Sequence, residues 1–446
     1  MSIKRRLMNI IISCLPIKLN EKEINIYECE DYYTTDVAMV IANKMGISVD
    51  KISSDIKNNI KDDLIKEVEI ADSGYINIYL KQDYLYNILD EIKKKGKKYG
   101  KNNYGAGSKI NIDYGILNCD DVLSTDYLRR IIYCDSISNI LSFCGYDVVR
   151  NFFIKDYNAD SSKKIFDEKK LKNVLDKFRI SFDFITKETD LINQGIMDSI
   201  ISELQRSGNC IIDKYALFVK INNHDELNLQ IVDEDGNYDA PLFDVSYYAD
   251  KLNNGYDKVY GLFELNYINY VDKIMSCLEK LNYDINIFIF DSFNSLNEDN
   301  YDLDVLINGS DVNIIRYSLL NNLNRKNQFI FDNINNIERT YLNIFSLLRK
   351  KQCVNNDKFD TMNNKCAYTI MNKLMEFEDV VIAAADDFNP CIIKKFISEL
   401  SCLLNNLYSE FESGRYFDKY EILLEAALIV MNNASGLLGL ILREDF

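Results

Sequence analysis

Residues 109–156 constrain the fold more than any other stretch of the chain. Apolar residues alternate at Ile110, Ile112, Tyr114 and Ile116, the period of a strand. A polar turn follows at Asn118 to Asp121. Leu128, Ile131, Ile132, Ile140 and Leu141 then recur at helical spacing, with Ser124 or Thr125 placed to cap the start and Gly145 to stop the end. A second strand is expected over Val148 to Ile154. A strand–helix–strand unit of this kind builds a parallel, Rossmann-like sheet, so the expected class is α/β. The helix N-terminus at the carboxyl end of the first strand is where such a sheet receives an anion.

At 446 residues the chain can hold two or three domains. It has no run of 18 apolar residues, so no membrane span is expected. The opening MSIKRRLMNIIISCLP reads as an amphipathic helix ending near Pro16. Eleven cysteines at irregular spacing, without Cys-x-x-Cys, argue for free thiols in a reducing cytoplasm, with neither a disulfide frame nor a metal site. The net charge of −17 disfavours general nucleic-acid binding but allows a local basic patch to dominate a contact. The single histidine, His224, lies in the polar stretch INNHDELN and reads as a surface residue.

Beyond its period, the 109–156 stretch resembles the nucleotide-binding start of the class I arginyl-tRNA synthetase (arginine–tRNA ligase) family. Asn111, Ile112, Asp113, Asn118, Leu123, Arg129 and Asp135 fall on family counterparts without a gap. The family's HIGH tetrad falls on Ser124, Thr125, Asp126 and Tyr127, so both signature histidines and the glycine are replaced. Further on, Asp235, Gly236, Tyr238 and Asp244 match the motif that opens the second half of the nucleotide fold, while a family tyrosine becomes Ala240. The adenine-side W-G-A-D-H-H-G becomes Phe263, Glu264, Leu265, Asn266, Tyr267, Ile268 and Asn269. The helix after it keeps an apolar face at Val271, Ile274, Leu278 and Leu281, and a strand follows at Asn286 to Phe290. Where the family carries its mobile KMSKS loop, residues 291–304 hold no Lys or Arg but do hold Glu298, Asp299, Asp302 and Asp304.

The resemblance implies three domains. Residues 1–105 form an N-terminal α+β appended domain. Residues 106–330 form a degenerate Rossmann-like catalytic domain with a connective insertion over about 157–230. Residues 331–446 form an all-α bundle of the anticodon-binding type. Helices are expected near 338–351, 363–383, 389–409 and 418–436, the third opened by Asn389 as cap and Pro390 at the first helical position.

In the appended domain, Tyr75 and Asn77 match a family motif that touches an unpaired loop of tRNA, an aromatic stacking on a base while an amide reads its edge. By the residues alone, the same pair is a strand with an exposed Tyr and Asn. Lys93, Lys94, Lys95, Lys97 and Lys98 form a dense basic run, read either as a solvated helix end or as a contact to a tRNA backbone. Asp113, Asn118 and Asp244 fall where the family holds the guanidinium and amino groups of arginine, and stand either as a residual arginine pocket or as inherited structure.

The family reaction proceeds by positioning and by stabilising charge on the phosphates of ATP. Its histidines and loop lysines are missing, and each lost donor typically costs ~3–4 kcal/mol in the transition state. Four functions stay open: an inactive tRNA-binding or regulatory protein, a divergent working ligase, a protein-interaction module, and an arginine sensor resting on Asp113, Asn118 and Asp244. No catalytic residue, metal or cofactor is expected, with ATP implied only by the ligase reading. The implied partners are tRNA or a protein such as the true synthetase; neither membrane nor DNA is expected.

Overall fold

The architecture is taken from a computed structural model, which describes residues 3–20, 23–29, 32–71, 73–118, 125–157, 168–221, 228–264, 267–284, 286–290, 311–320, 334–349, 365–411 and 420–444. The chain opens with α1 (Ile3–Cys14), whose buried Ile3, Leu7 and Ile11 are one face of the expected amphipathic helix. An antiparallel sheet follows, built from β1 (Ile26–Glu28), β2 (Tyr33–Thr35), β3 (Ile65–Ile70) and β4 (Ile76–Leu80) in the order β1-β2-β4-β3. It carries α2 (Val37–Met45), α3 (Val49–Asn59) and α4 (Gln82–Lys95).

The central sheet begins with β5 (Lys109–Asn118), α5 (Thr125–Phe143) and β6 (Asp147–Lys155), the unit read from the sequence. Next come α6 (Glu168–Lys177), β7 (Phe184–Lys187), α7 (Glu188–Asn193) and α8 (Ile196–Arg206). A small antiparallel sheet is formed by β8 (Cys210–Asp213), β9 (Ala216–Val219) and β10 (Leu229–Val232). Then α9 (Ala240–Asn253), β11 (Lys258–Glu264), α10 (Ile268–Lys280) and β12 (Asn286–Phe290) complete the α/β part. The main sheet is parallel throughout, in the order β12-β11-β5-β6-β7. Because β7 pairs with β6, the stretch expected to be wholly insertion contributes one strand to the parent sheet.

The last part is helical: α11 (Val312–Leu319), α12 (Asn335–Arg349), α13 (Lys365–Met375), α14 (Phe377–Asp386), α15 (Cys391–Phe411) and α16 (Glu421–Leu437). The helix expected over 363–383 is two helices, divided at Glu376. Asn389 caps α15 as expected, its side chain accepting from the backbone N–H of Cys391 at 3.0 Å.

The apolar core is not partitioned by domain. One cluster runs from Leu7 in α1 through Ile112 and Ile137 in the β5–α5 unit to Phe377 and Leu400 in the bundle. Side chains also stitch these parts together. Tyr99 donates to the Leu374 carbonyl at 3.1 Å, and Tyr133 donates to the Phe388 carbonyl at 2.7 Å. A second cluster covers the other face of the sheet with α8, α9, α10 and the small sheet.

The bundle is fixed to the sheet domain by a buried arginine. Arg316 of α11 is fully buried and pairs with Asp135 of α5. Its guanidinium also donates to the carbonyls of Leu438 at 3.0 Å and Phe178 at 2.7 Å. Gly439 makes room for it: the residue sits at φ +68°, and a Cβ there would lie 2.1 Å from the arginine. Removing one partner of a buried ion pair leaves the other charge stranded and costs about 3–5 kcal/mol. Arg316→Met should lower the unfolding free energy by that amount in urea titrations, and adding Asp135→Leu should restore part of it. A single-variant loss within about 1 kcal/mol, the surface-pair range, would show that the pair does not hold the interface.

Candidate functional site

The strand order β7-β6-β5-β11-β12 is the first, second and third strands of a half on one side and the remaining two on the other. The switch point therefore lies between β5 and β11, and open α/β sheets bind ligands outside the carboxyl ends of the strands at such a point. β5 is irregular there. Its register against β6 shifts between Asp113 and Ile116, and Gly115 adopts φ +136°. The bulge breaks the expected alternation. Ile110, Ile112, Tyr114 and Leu117 join one core cluster, whereas Ile116 packs against the other. A Cβ at Gly115 would lie 2.5 Å from the Arg130 guanidinium, so the glycine is what lets Arg130 of α5 lie over the strand. The same guanidinium sits 4.4 Å from the Tyr127 ring centroid.

Asp113 is buried in β5. One carboxylate oxygen accepts from the Gly115 N–H at 2.9 Å, and the other faces the Tyr248 hydroxyl at 3.5 Å. Burial pushes the carboxyl up to about 6, against the Gly115 hydrogen bond and the Arg130 charge.

Asp244 is equally buried on α9. The Tyr270 hydroxyl donates to its Oδ2, and Lys155 Nζ lies 3.8 Å from its Oδ1. Burial raises its carboxyl, and Lys155 and Tyr270 oppose that rise.

Glu188, the first residue of α7, is the third buried carboxylate, with Oε2 accepting from the Tyr157 N–H at 2.9 Å. Burial pushes it to about 7, the Tyr157 N–H and Lys155 opposing and Asp244 adding. The segment after β6 is pinned beside it, Asp156 accepting from the Thr189 N–H at 2.9 Å and hydroxyl at 2.6 Å.

α9 also closes the sheet from below. Asn151 of β6 donates to the Tyr247 hydroxyl at 2.6 Å, and the Tyr247 ring stacks on Phe153 with centroids 4.4 Å apart. Three buried carboxyls, Asp113, Asp244 and Glu188, thus gather with Lys155 around the carboxyl ends of β5 and β6, and this group is called the carboxylate cleft. Among the described residues, no group of His, Cys, Asp and Glu side chains is arranged to hold a metal ion.

The sequence-predicted residues divide by position. The Asp244 charge adds to the rise of the buried Asp113 carboxyl, whereas Asp244 itself answers to Lys155 and Tyr270. Asn118 ends β5 and is paired in register with Lys155. Thr125, Asp126 and Tyr127 form the first turn of α5, whereas Ser124 lies outside the described residues, as do His224, Leu265, Asn266 and the acidic stretch 291–304. Lys155, Glu188, Tyr248 and Tyr270 were not singled out by sequence.

Away from the cleft, Tyr75 is half-buried just before β4, and Asn77 is half-buried within it, opposite Thr34 and Glu69. The lysine run ends α4 and continues past it. Lys93 pairs with Glu425 of α16, and Lys95 pairs with Glu91 at 2.7 Å. Lys94, Lys97 and Lys98 are exposed and have no ion-pair partner among the described residues. The run therefore lies on the seam between the N-terminal part and the helical bundle. In the chain, β4 and the 14-residue α4 lie between Tyr75 and the end of the run.

Residues 2–80 match the family model described as the arginyl tRNA synthetase N terminal domain. The chain is 22% identical to the arginine–tRNA ligase of Listeria monocytogenes, a similarity covering 91% of each protein. Its fold matches the arginyl-tRNA synthetase of Thermus thermophilus with a TM-score of 0.73 at 12% identity, over 100% of both chains. The enzyme from Plasmodium falciparum gives a TM-score of 0.71 at 16% identity, over 100% of this chain and 99% of that one.

The raised carboxyls carry a pH signature. A group whose pKa is raised on folding binds its proton more tightly in the folded state, so its stabilisation is lost as pH climbs from the unfolded to the folded pKa. For Asp113 that window runs from 3.8 to about 6, and for Glu188 from 4.5 to about 7. Urea midpoints of the Asp113→Asn, Glu188→Gln variant should fall less steeply across this range than those of the natural chain. Parallel curves would mean that these two groups do not titrate as their burial requires.

Proposed function

Starting from a chain that is arginyl-tRNA synthetase-like in fold and along most of its sequence, we propose that it is a catalytically inactive pseudo-synthetase that binds tRNA or regulates a tRNA-handling system. The observation that carries the reading is the replacement of the cationic groups that the ligase reaction needs. The chain has one histidine, His224, in a polar stretch, and its HIGH position reads Ser124, Thr125, Asp126 and Tyr127. Residues 291–304, where loop lysines would neutralise phosphate charge, hold only acidic charges. Arg129 is buried and Arg130 lies over Gly115, close enough to Asp113 to act on its carboxyl. Two arginines engaged in this way do not replace two histidines and a pair of mobile lysines, each typically worth ~3–4 kcal/mol.

The RNA-facing side of the reading rests on the N-terminal part. Tyr75 and Asn77 are accessible, and the exposed Lys94, Lys97 and Lys98 offer charge to a phosphate backbone. The cysteines among the described residues are all free, which fits a reducing cytoplasm, and no described helix is long and apolar enough to cross a membrane.

A second reading is a divergent, working arginine–tRNA ligase using ATP. It is favoured by the 91% coverage shared with a protein named as such and by the buried Asp113 and Asp244, carboxyls of the kind that pair with a guanidinium. A third, a protein-interaction module docking on the true synthetase, draws on the net charge of −17.

Two assays separate these readings. With ATP, arginine and matching tRNA, the purified chain should give no charging above background; measurable turnover would sink the inactive reading. Across a salt series, tRNA binding should be tight at low salt. It should be lost in Tyr75→Ala, Asn77→Ala, and show a shallower salt dependence, by about 0.7–0.9 per lost phosphate contact, when Lys94, Lys97 and Lys98 become Ala. Binding indifferent to both variants would assign these residues to structure, and absence of binding would favour the protein-interaction reading.

A further inference from the structure

The carboxylate cleft already contains a cation of its own. Lys155 is the last residue of β6, and its backbone is held in register by Asn118 of β5. Its Nζ lies 3.8 Å from Asp244 Oδ1, and its charge also acts on Glu188. The two partners differ in exposure: the Asp244 side chain is 1% accessible and that of Lys155 is 24%. One is embedded in the protein, and the other reaches in from the solvent side.

The fit is electrostatic and incomplete. At 3.8 Å the contact is too long for a hydrogen bond. Among the described residues Asp244 Oδ1 accepts no hydrogen bond, although Oδ2 is held by Tyr270. A buried carboxylate oxygen without a donor is costly, and a charged donor that came closer would be strongly favoured. Lys155 therefore neutralises Asp244 without satisfying it. A planar guanidinium, with parallel N–H groups, has the shape that would.

We propose that Lys155 is a built-in occupant of the cleft, its ammonium standing where the head group of a cationic amino acid would pair with Asp244 and thereby excluding that ligand. The inference rests on reading the cleft as the remnant of an amino-acid site, and it adds the reason the remnant is closed. The lysine stem is anchored at the sheet, so the plug is carried by a single side chain, and exchanging that side chain reopens the site.

The test is calorimetry on the full chain with L-arginine as probe and L-citrulline as its uncharged counterpart. Lys155→Met keeps the length of the stem and removes the charge. It should bind arginine roughly ten- to hundredfold more tightly than the natural chain, the range for a restored charge-assisted hydrogen bond, and should not bind citrulline. Lys155→Arg should stay closed, and Lys155→Met with Asp244→Asn should lose the gain. Lys155→Gln serves in place of the methionine variant if the latter fails to match the natural chain in circular dichroism and urea midpoint.

Equal arginine affinity in the natural chain and the uncharged variants, including no binding by either, overturns the proposal, as does equal gain for citrulline. tRNA charging is assayed on the same preparations. No gain in binding with no charging removes the role of Lys155 and leaves the inactive reading standing. A gain in binding, together with charging by the natural chain at high arginine, does the reverse.

Discussion

Arg316 is the constraint on which the arrangement of the parts depends. A fully buried guanidinium is tolerable only where acceptors surround it. Here the acceptors are the Asp135 carboxylate and the carbonyls of Phe178 and Leu438, which follow the ends of α6 and α16. Carbonyls at helix C-termini lack partners within their own helix and carry partial negative charge. One side chain thus neutralises two helix ends and an acid on α5, and all four elements must arrive in one geometry for it to be buried. Asn313, one turn earlier on α11, extends the junction by bonding Arg179 at 2.7 Å, Glu338 at 2.7 Å and the Ile441 carbonyl at 2.8 Å.

The sheet separates two environments of different character. One face joins the core that runs on into the helical bundle, and its packing is apolar apart from the Arg316 junction and a few tyrosine hydroxyls. The other is covered by α9, where residues 242–249 are buried without interruption, Asp244 and Ser246 included. A helix buried all round carries its polar groups into the core, and these become the walls of the cleft. The bulge at Gly115 does the same for β5, turning Asp113 toward Tyr248 while the strand continues. The sheet thereby places buried charge at its switch point without breaking its hydrogen-bond ladder beyond a single irregularity.

That division also explains what could be read from the chain. The β5–α5–β6 unit, β12, and the apolar face of α10 were legible because each follows one period against one core. The burial of Asp113 and Asp244 was not legible in the pattern, since an acid within a strand or a helix buried on every side reads as a surface residue. Lys155 was not legible, because a lysine at the end of a strand normally points to water, and only the packing of α9 shows an acid beneath it. β7 was hidden for a different reason. It is a four-residue strand within a stretch of helices, and its membership of the main sheet is set by pairing with β6. The break at Glu376 was missed because α13 and α14 share an apolar period across the joint.

The core that runs unbroken from α1 to the bundle has a consequence for how such a chain can change over time. Its parallel sheet is also its keel. The seam where α4 meets α16 takes its spacing from β5 and α5 beneath it, so a sheet that had lost its chemistry could still not be trimmed away. Drift is free at the open edge of the sheet, where side chains answer to solvent. It is checked a few residues deeper, where the same strands answer to both flanks. A chain of this design should keep its dimensions through changes that would alter any chemistry at the strand ends, and a partner that gauged those dimensions would find them unchanged.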